Sequence, residues 1–164
     1  MNYGDLWMRE TERDSRSSYQ RWLLLADEPL ALATYWDQGV LWVFGVGQET
    51  VATALMVSHQ ENRVVEIKNL AVAPLWQGRG IGNHVIRLLI THYRSRDYQE
   101  MAVGTANCSL GNLAFYQKAG FRMDSIRKDF FTPVHGYTGI LKENGIVMQD
   151  MVWMTQDLQE RRRG

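Results

Sequence analysis

Between an apolar, strand-like stretch ending in Leu70-Ala71-Val72-Ala73-Pro74 and a helix-periodic stretch that starts at Ile81, the chain runs Gln77-Gly78-Arg79-Gly80-Ile81-Gly82. Alternating glycines at that position predict a tight turn joining a strand to a helix. Backbone comes closest to a ligand where side chains are missing, and the free N–H groups of a helix's first turn point at whatever fills the space. The segment therefore predicts an anion cradle, and a diphosphate fits it.

Glycine spacing narrows the choice of diphosphate. The run lacks the Gly-Lys-Ser/Thr ending of an ATP or GTP loop, and Asn83 stands where a dinucleotide fingerprint needs its third glycine. An acidic ribose ligand at the expected distance is missing too, which argues against a dinucleotide-dependent oxidoreductase. The run instead resembles the acetyl-coenzyme A loop of the GNAT N-acetyltransferase superfamily, Gln/Arg-x-x-Gly-x-Gly/Ala, filled here by Gln77, Gly80 and Gly82. Upstream, Asn69-Leu70-Ala71-Val72-Ala73-Pro74 resembles that family's fourth strand and following loop. Downstream, Phe115-Tyr116-Gln117-Lys118-Ala119-Gly120-Phe121 resembles its second signature. The resemblance implies one N-acetyltransferase domain over residues 1–164, of α/β class, with a mixed, mostly antiparallel sheet splayed at its central strands and helices on both faces. It implies acetyl-CoA as co-substrate, held by Leu70, Ala71 and Val72 and by Gln77, Gly78, Arg79, Gly80, Ile81, Gly82 and Asn83.

At 164 residues the chain has the length of one domain with a real core. Its 18 basic and 18 acidic residues balance, so nothing predicts a nucleic-acid surface or an acidic polymer as partner, and a small substrate is expected. The apolar run Trp22-Leu23-Leu24-Leu25-Ala26 is too short for a bilayer span or a signal-peptide core, so no membrane association is expected. A single cysteine, Cys108, cannot form an intrachain disulfide, which agrees with a reducing cytosol; the expected location is cytoplasmic. The six tryptophans and eight methionines are read as core packing, with a substrate pocket or a subunit interface as the alternative, which leaves a homodimer open.

Along the chain, residues 1–20 are polar with scattered apolar positions and predict a peripheral segment with at most one regular element. Asp27-Glu-Pro-Leu predicts a helix capped by Asp27 and continuing to about Gln38. Val40–Val46 and Thr50–Ser58 read as a hairpin. Between Val64 and Val72 the apolar phase shifts at Lys68-Asn69: Val65 and Ile67 share one face, Leu70 and Val72 the other. A β-bulge would correct the phase, and bulges favour active sites; a strand buried on both faces is the alternative. The resemblance adds weight to the bulge, because GNAT enzymes splay this strand from the next to admit the cofactor. A helix from Ile81 to about Arg96, a strand over Glu100–Thr105, a helix over Leu110–Ala119 closed by Gly120, and a strand from Phe121 follow. Residues 127–146 read as a long ordered loop before a last strand at Val147–Thr155, and such loops are usually functional. Arg161-Arg162-Arg163 reads as a solvated tail.

Acetyl transfer from a thioester to an amine needs a neutral amine, donors for the developing oxyanion and a proton for the departing thiolate. A strand that splays after its bulge leaves backbone N–H groups around Leu70 to Val72 free to act as those donors. The resemblance places the Tyr116 hydroxyl near the cofactor sulfur as general acid, and a phenol is chemically suited to that task. The family commonly has an asparagine seven positions before this tyrosine to contact pantetheine; here that position is Ser109, so the contact falls among Asn107, Ser109 and Asn112. Many family members carry a catalytic glutamate in the strand that leads to the loop, which points to Glu66 as base, with an outward glutamate paired to Lys68 as the alternative. Asp129, His135, Tyr137 and Glu143 in the long loop are further candidates for contact with the acceptor amine. His84 and His92 read as helix-surface or boundary residues, and Cys108 as a packed residue. No metal is expected, since the four histidines and the cysteine are scattered. The expected activity is direct acetyl transfer to a primary amine of a small molecule or a peptide; the alternative is a non-catalytic acyl-CoA sensor.

Overall fold

The computed structural model describes residues 5–159. Strands β1 (Leu6–Glu10), β2 (Val40–Val46), β3 (Glu49–His59), β4 (Val64–Val72), β5 (Glu100–Ala106), β6 (Arg122–Arg127) and β9 (Met151–Asp157) form one sheet in the order β1-β2-β3-β4-β5-β9-β6. Only β4 and β5 run parallel. β7 (Lys142–Glu143) and β8 (Ile146–Val147) make a separate small hairpin. The α-helices among the described residues are α1 (Gln20–Leu23), α2 (Pro29–Leu32), α3 (Ile81–Arg94) and α4 (Leu110–Lys118). The Arg161-Arg162-Arg163 segment lies outside the described residues.

Two cores hold the sheet between its helices. On one face Trp42, Phe44, Met56, Val65 and Ile67 meet Ile81, Val85, Ile86 and Leu89 of α3. Those α3 residues follow the helical spacing visible in the sequence, and burying an apolar stripe of this kind stabilises by about 25 cal/mol per Å² of surface removed from water. On the other face Leu41 and Leu55 meet Leu23, Leu32 and Tyr35 from α1, α2 and the turns that follow.

The hairpin, the α3 and α4 helices and the central strands lie where the pattern puts them. Three local readings change. The helix predicted from Asp27 to Gln38 is one turn of α2 followed by tighter turns, because its capping residue makes contacts elsewhere, described below. The last strand starts at Met151, since Ile146–Val147 pairs back on Lys142–Glu143. Finally, residues 13–19 are more than peripheral: Arg16 is buried and donates to the carbonyls of Trp36, Gln38 and Gly39, joining the polar N-terminal segment to the α2–β2 turn.

The phase shift in β4 is a bulge. Leu55 pairs with Asn69 but Met56 pairs with Ile67, so Lys68 is the extra residue. Cross-strand partners share a face, so Asn69 joins Glu66 on the side of Leu55, while Leu70 and Val72 return to the α3 core beside Val65 and Ile67. Just past this point the sheet divides. β4 and β5 pair only from Val64↔Glu100 to Ile67↔Val103; beyond, β4 stays with β3 and β5 with β9.

Candidate active site

The gap between β4 and β5 opens into a cleft of about 1080 Å³ that runs from the α2 region to the glycine turn. Of the residues singled out in the sequence, Glu66, Leu70, Ala71, Val72, Gln77, Gly78, Gly80, Ile81, Gly82, Asn83, Ser109, Asn112 and Tyr116 line it, as do His135, Tyr137 and Glu143. Arg79, Asn107 and Asp129 do not. Arg79 lies over the Trp76 ring, 5.3 Å from its centroid. Asn107 ties down the segment before β9: its amide donates to the Val147 carbonyl and its Oδ1 accepts the N–H groups of Gln149 and Asp150.

At the glycine turn, Gly78 and Gly80 adopt left-handed φ of +71° and +82°, and a Cβ on either would meet nothing within 4 Å. Both thus border open space. Gly80 is the N-cap of α3 and supplies no side-chain cap, so the N–H groups of the first turn are available to an anion. Gln77 fixes the entry by donating from Nε2 to the Val72 carbonyl at 3.0 Å. Gly82 has a different reason to be glycine: a Cβ there would sit 2.9 Å from the Phe115 ring, so it lets α3 and α4 approach.

Across the gap, α4 carries Tyr116, packed edge-on against Phe115 and Phe121, at 7% exposure. Its hydroxyl makes no hydrogen bond to any described residue, and burial alone holds the phenol well above its ordinary range. Ser109 donates to Glu143 at 2.6 Å, which ties the start of α4 to β7. Cys108 is fully buried, and burial pushes its thiol up, so it stays a neutral packed group.

The opposite end of the cleft is built by segments far apart in sequence. Glu66 lies 3.4 Å from His59 Nε2 and 3.6 Å from Lys68 Nζ, and Lys68 sits over the Tyr35 ring. Asp27 accepts the hydroxyls of both Tyr35 and Tyr137, each at 2.8 Å. Asn69 donates to the Tyr35 oxygen and the Leu23 carbonyl. Gly136 packs its backbone so closely on Leu30 and Ala31 that a Cβ would fall 2.5 Å from the Ala31 nitrogen, which docks the long loop over α2. Phe130, Phe131 and His135 complete this wall, the imidazole stacked on Phe130 at 4.0 Å. Among the described residues no group of three His, Cys, Asp or Glu side chains could hold a metal ion, and no helix is long and apolar enough to cross a membrane.

Burial, followed by the charge of Asp27, holds Tyr35 and Tyr137 above the ordinary phenol range, and burial pushes Tyr93 up to about 12. With Tyr116, four phenols thus bind their protons more tightly folded than unfolded. Their contribution to stability is complete below the unfolded phenol value of about 10 and is lost as pH rises through the folded values. The thermal midpoint should therefore fall above about pH 10, with tyrosinate absorbance appearing together with unfolding. A flat midpoint with gradual ionisation would show these phenols open to water.

A glycine turn bordering open space at a helix start and a parallel strand pair that divides into a cleft define the architecture, and the comparisons with known proteins identify its class. Residues 4–121 match the Acetyltransferase (GNAT) family. The uncharacterized N-acetyltransferase YvbK of Bacillus subtilis (strain 168) is 32% identical over 137 residues, 83% of this chain and 86% of YvbK. A GNAT family acetyltransferase from Elizabethkingia anophelis, solved with acetyl-CoA bound, superposes with a TM-score of 0.83 at 31% identity over 94% of this chain and 99% of its own. A Bacillus subtilis acetyltransferase in complex with CoA gives 0.81 at 29% identity, over 93% and 98%. The chain belongs to the GNAT acetyltransferase family and is an N-acetyltransferase.

Sequence reasoning passed over Tyr35, Phe130 and Phe131, and read Asp27 only as a helix cap and Asn69 only as a strand switch. The one available signal was Asn69, a polar residue inside an apolar strand.

Proposed function

We propose that this chain transfers the acetyl group of acetyl-CoA directly to a primary amine of a small molecule or a peptide. The observation that carries the reading is the gap between β4 and β5, which opens after Ile67 and Val103 and leads to the glycine turn. Acetyl-CoA, when bound, supplies an activated acyl thioester. The first-turn N–H groups of α3 and the open faces of Gly78 and Gly80 suit its diphosphate, and the unpaired edge of β4 at Leu70 to Val72 suits its amides and carbonyl. Glu66 takes a proton from the acceptor nitrogen, directly or through water. The Tyr116 hydroxyl gives its proton to the departing sulfur and is refilled from solvent. Ser109 and Asn112, which line the cleft, are the remaining side chains for pantetheine.

The test is a thermal-shift screen of acetyl-CoA, CoA, NAD and ATP, followed by free-thiol release with a panel of amines. Stabilisation by acetyl-CoA with thiol release supports the reading; stabilisation without release from any amine reduces it to a CoA-binding module. Within it, Gly80→Val should fill the cradle and weaken CoA binding at least tenfold, about 1.4 kcal/mol. Because Gly80 is left-handed, the variant is also strained, and Gly47→Val is the matched control: φ is +59° there, with nothing near a Cβ, in the β2–β3 turn. Calorimetry should separate the two, and equal CoA affinities would remove the loop from the site.

A further inference from the structure

The polar groups at the acceptor end of the cleft are unevenly matched. Asp27 receives the Tyr35 hydroxyl on Oδ2 and the Tyr137 hydroxyl and the Glu28 N–H on Oδ1. A carboxylate offers about four lone-pair sites, so one remains on Oδ2. Asn69, 4% exposed, has both Nδ2 hydrogens engaged by the Leu23 carbonyl and the Tyr35 oxygen, while its Oδ1 has no partner among the described residues. The amide cannot be turned round, because the Leu23 carbonyl accepts only. His135 bonds the Phe130 carbonyl through Nδ1 at 2.7 Å, which puts a proton there and leaves Nε2 as an acceptor in the singly protonated ring. The Thr34 hydroxyl donates to Ala31 at 2.7 Å. Every neutral side-chain donor here is thus committed within the protein, whereas acceptors are left over. Lys68 is the one cation on this wall among the described residues, and it is placed against Glu66 and the Tyr35 ring.

A surplus of acceptors beside aromatic faces matches a group that only donates. An ammonium has three donors and no acceptor, and it is also attracted to ring faces; a carboxylate is the reverse and would find no free side-chain donor on this wall but a Lys68 drawn from Glu66. We propose that the acceptor is a small primary amine with no carboxylate beside it, seated as its ammonium at Asp27 and the Tyr35, Tyr137 and Phe131 rings before Glu66 takes its proton. This rests on the acetyltransferase reading above and adds the chemical class of the acceptor.

Matched triplets test it: phenethylamine, phenylalanine and phenylalaninamide, then tyramine, tyrosine and tyrosinamide. Each is followed by thiol release with acetyl-CoA and by calorimetric binding to the CoA-saturated enzyme. Amine and amide should exceed the amino acid at least tenfold in kcat/KM and in affinity. Equal or better use of the amino acids overturns the proposal, as does failure of every amine to bind. Amines that bind selectively without releasing thiol would sink the proposed activity and support the assignment of the pocket. Asp27→Asn should raise the KM of the amine about tenfold and leave acetyl-CoA affinity unchanged. A parallel loss of acetyl-CoA affinity would mean that Asp27 serves the cofactor instead, and would overturn the seat.

Discussion

Replacing Tyr116 with Phe should lower kcat about 100-fold while leaving acetyl-CoA affinity nearly unchanged. The ring contacts to Phe115 and Phe121 survive, and the lost hydroxyl leaves no protein group without its partner, so the variant should fold like the parent. What disappears is a proton that burial keeps on the phenol through neutral and mildly alkaline pH. For the same reason Tyr116 should contribute no alkaline limb to kcat below the ordinary phenol range. Single-turnover kinetics decide the matter, because a slow product release would hide a loss in chemistry. Turnover within about twofold of the parent in such an experiment assigns the proton to another donor.

The second large effect is expected at Glu66. Glu66→Gln keeps the shape of the side chain and removes the proposed base, so kcat/KM should fall by on the order of 10² with CoA binding retained. An amine that is charged at neutral pH cannot attack a thioester, so the parent rate should rise with pH along an acidic limb that the variant alters. The contacts of Glu66 with His59 and Lys68 are solvent-facing in part and contribute little to stability by themselves, so the fold should tolerate the change. Matching limbs and rates in the two forms would make Glu66 a strand residue that merely positions Lys68. The next base to examine would then be His135, because Glu143 accepts the Ser109 hydroxyl and Asp129 is outside the cleft.

The parts of this molecule that were legible in its sequence are those that follow from short-range rules. Glycines at a strand–helix junction and helical spacing from Ile81 to Leu89 each have one economical structural solution, and the phase shift at Lys68-Asn69 has two, of which the bulge is present. The wall proposed to seat the acceptor had no such signature. It joins Asp27, Tyr35, Asn69 and Tyr137, and a hydrogen bond across 110 residues leaves no periodicity to read. Asp27 misled for a physical reason: an aspartate before Glu-Pro is a good helix cap, yet the buried Tyr35 and half-buried Tyr137 phenols both donate to the same carboxylate. Gly82 fits the loop pattern but also answers to Phe115, and motif spacing cannot separate contact with a ligand from contact between helices.

The parallel seam between β4 and β5 is four residue pairs long, and the two side chains proposed as base and acid sit on opposite sides of it. Glu66 belongs to the β1–β4 half of the sheet, whereas Tyr116 rides on the helix that follows β5. The separation of the two groups proposed to move protons is thus set by how far two half-sheets diverge from a common seam, much as the opening of a pair of calipers is set at its pivot. Val65, Ile67, Met101 and Val103 are that pivot, and all four are buried. Changing their bulk would adjust the span of the instrument without touching either of its tips.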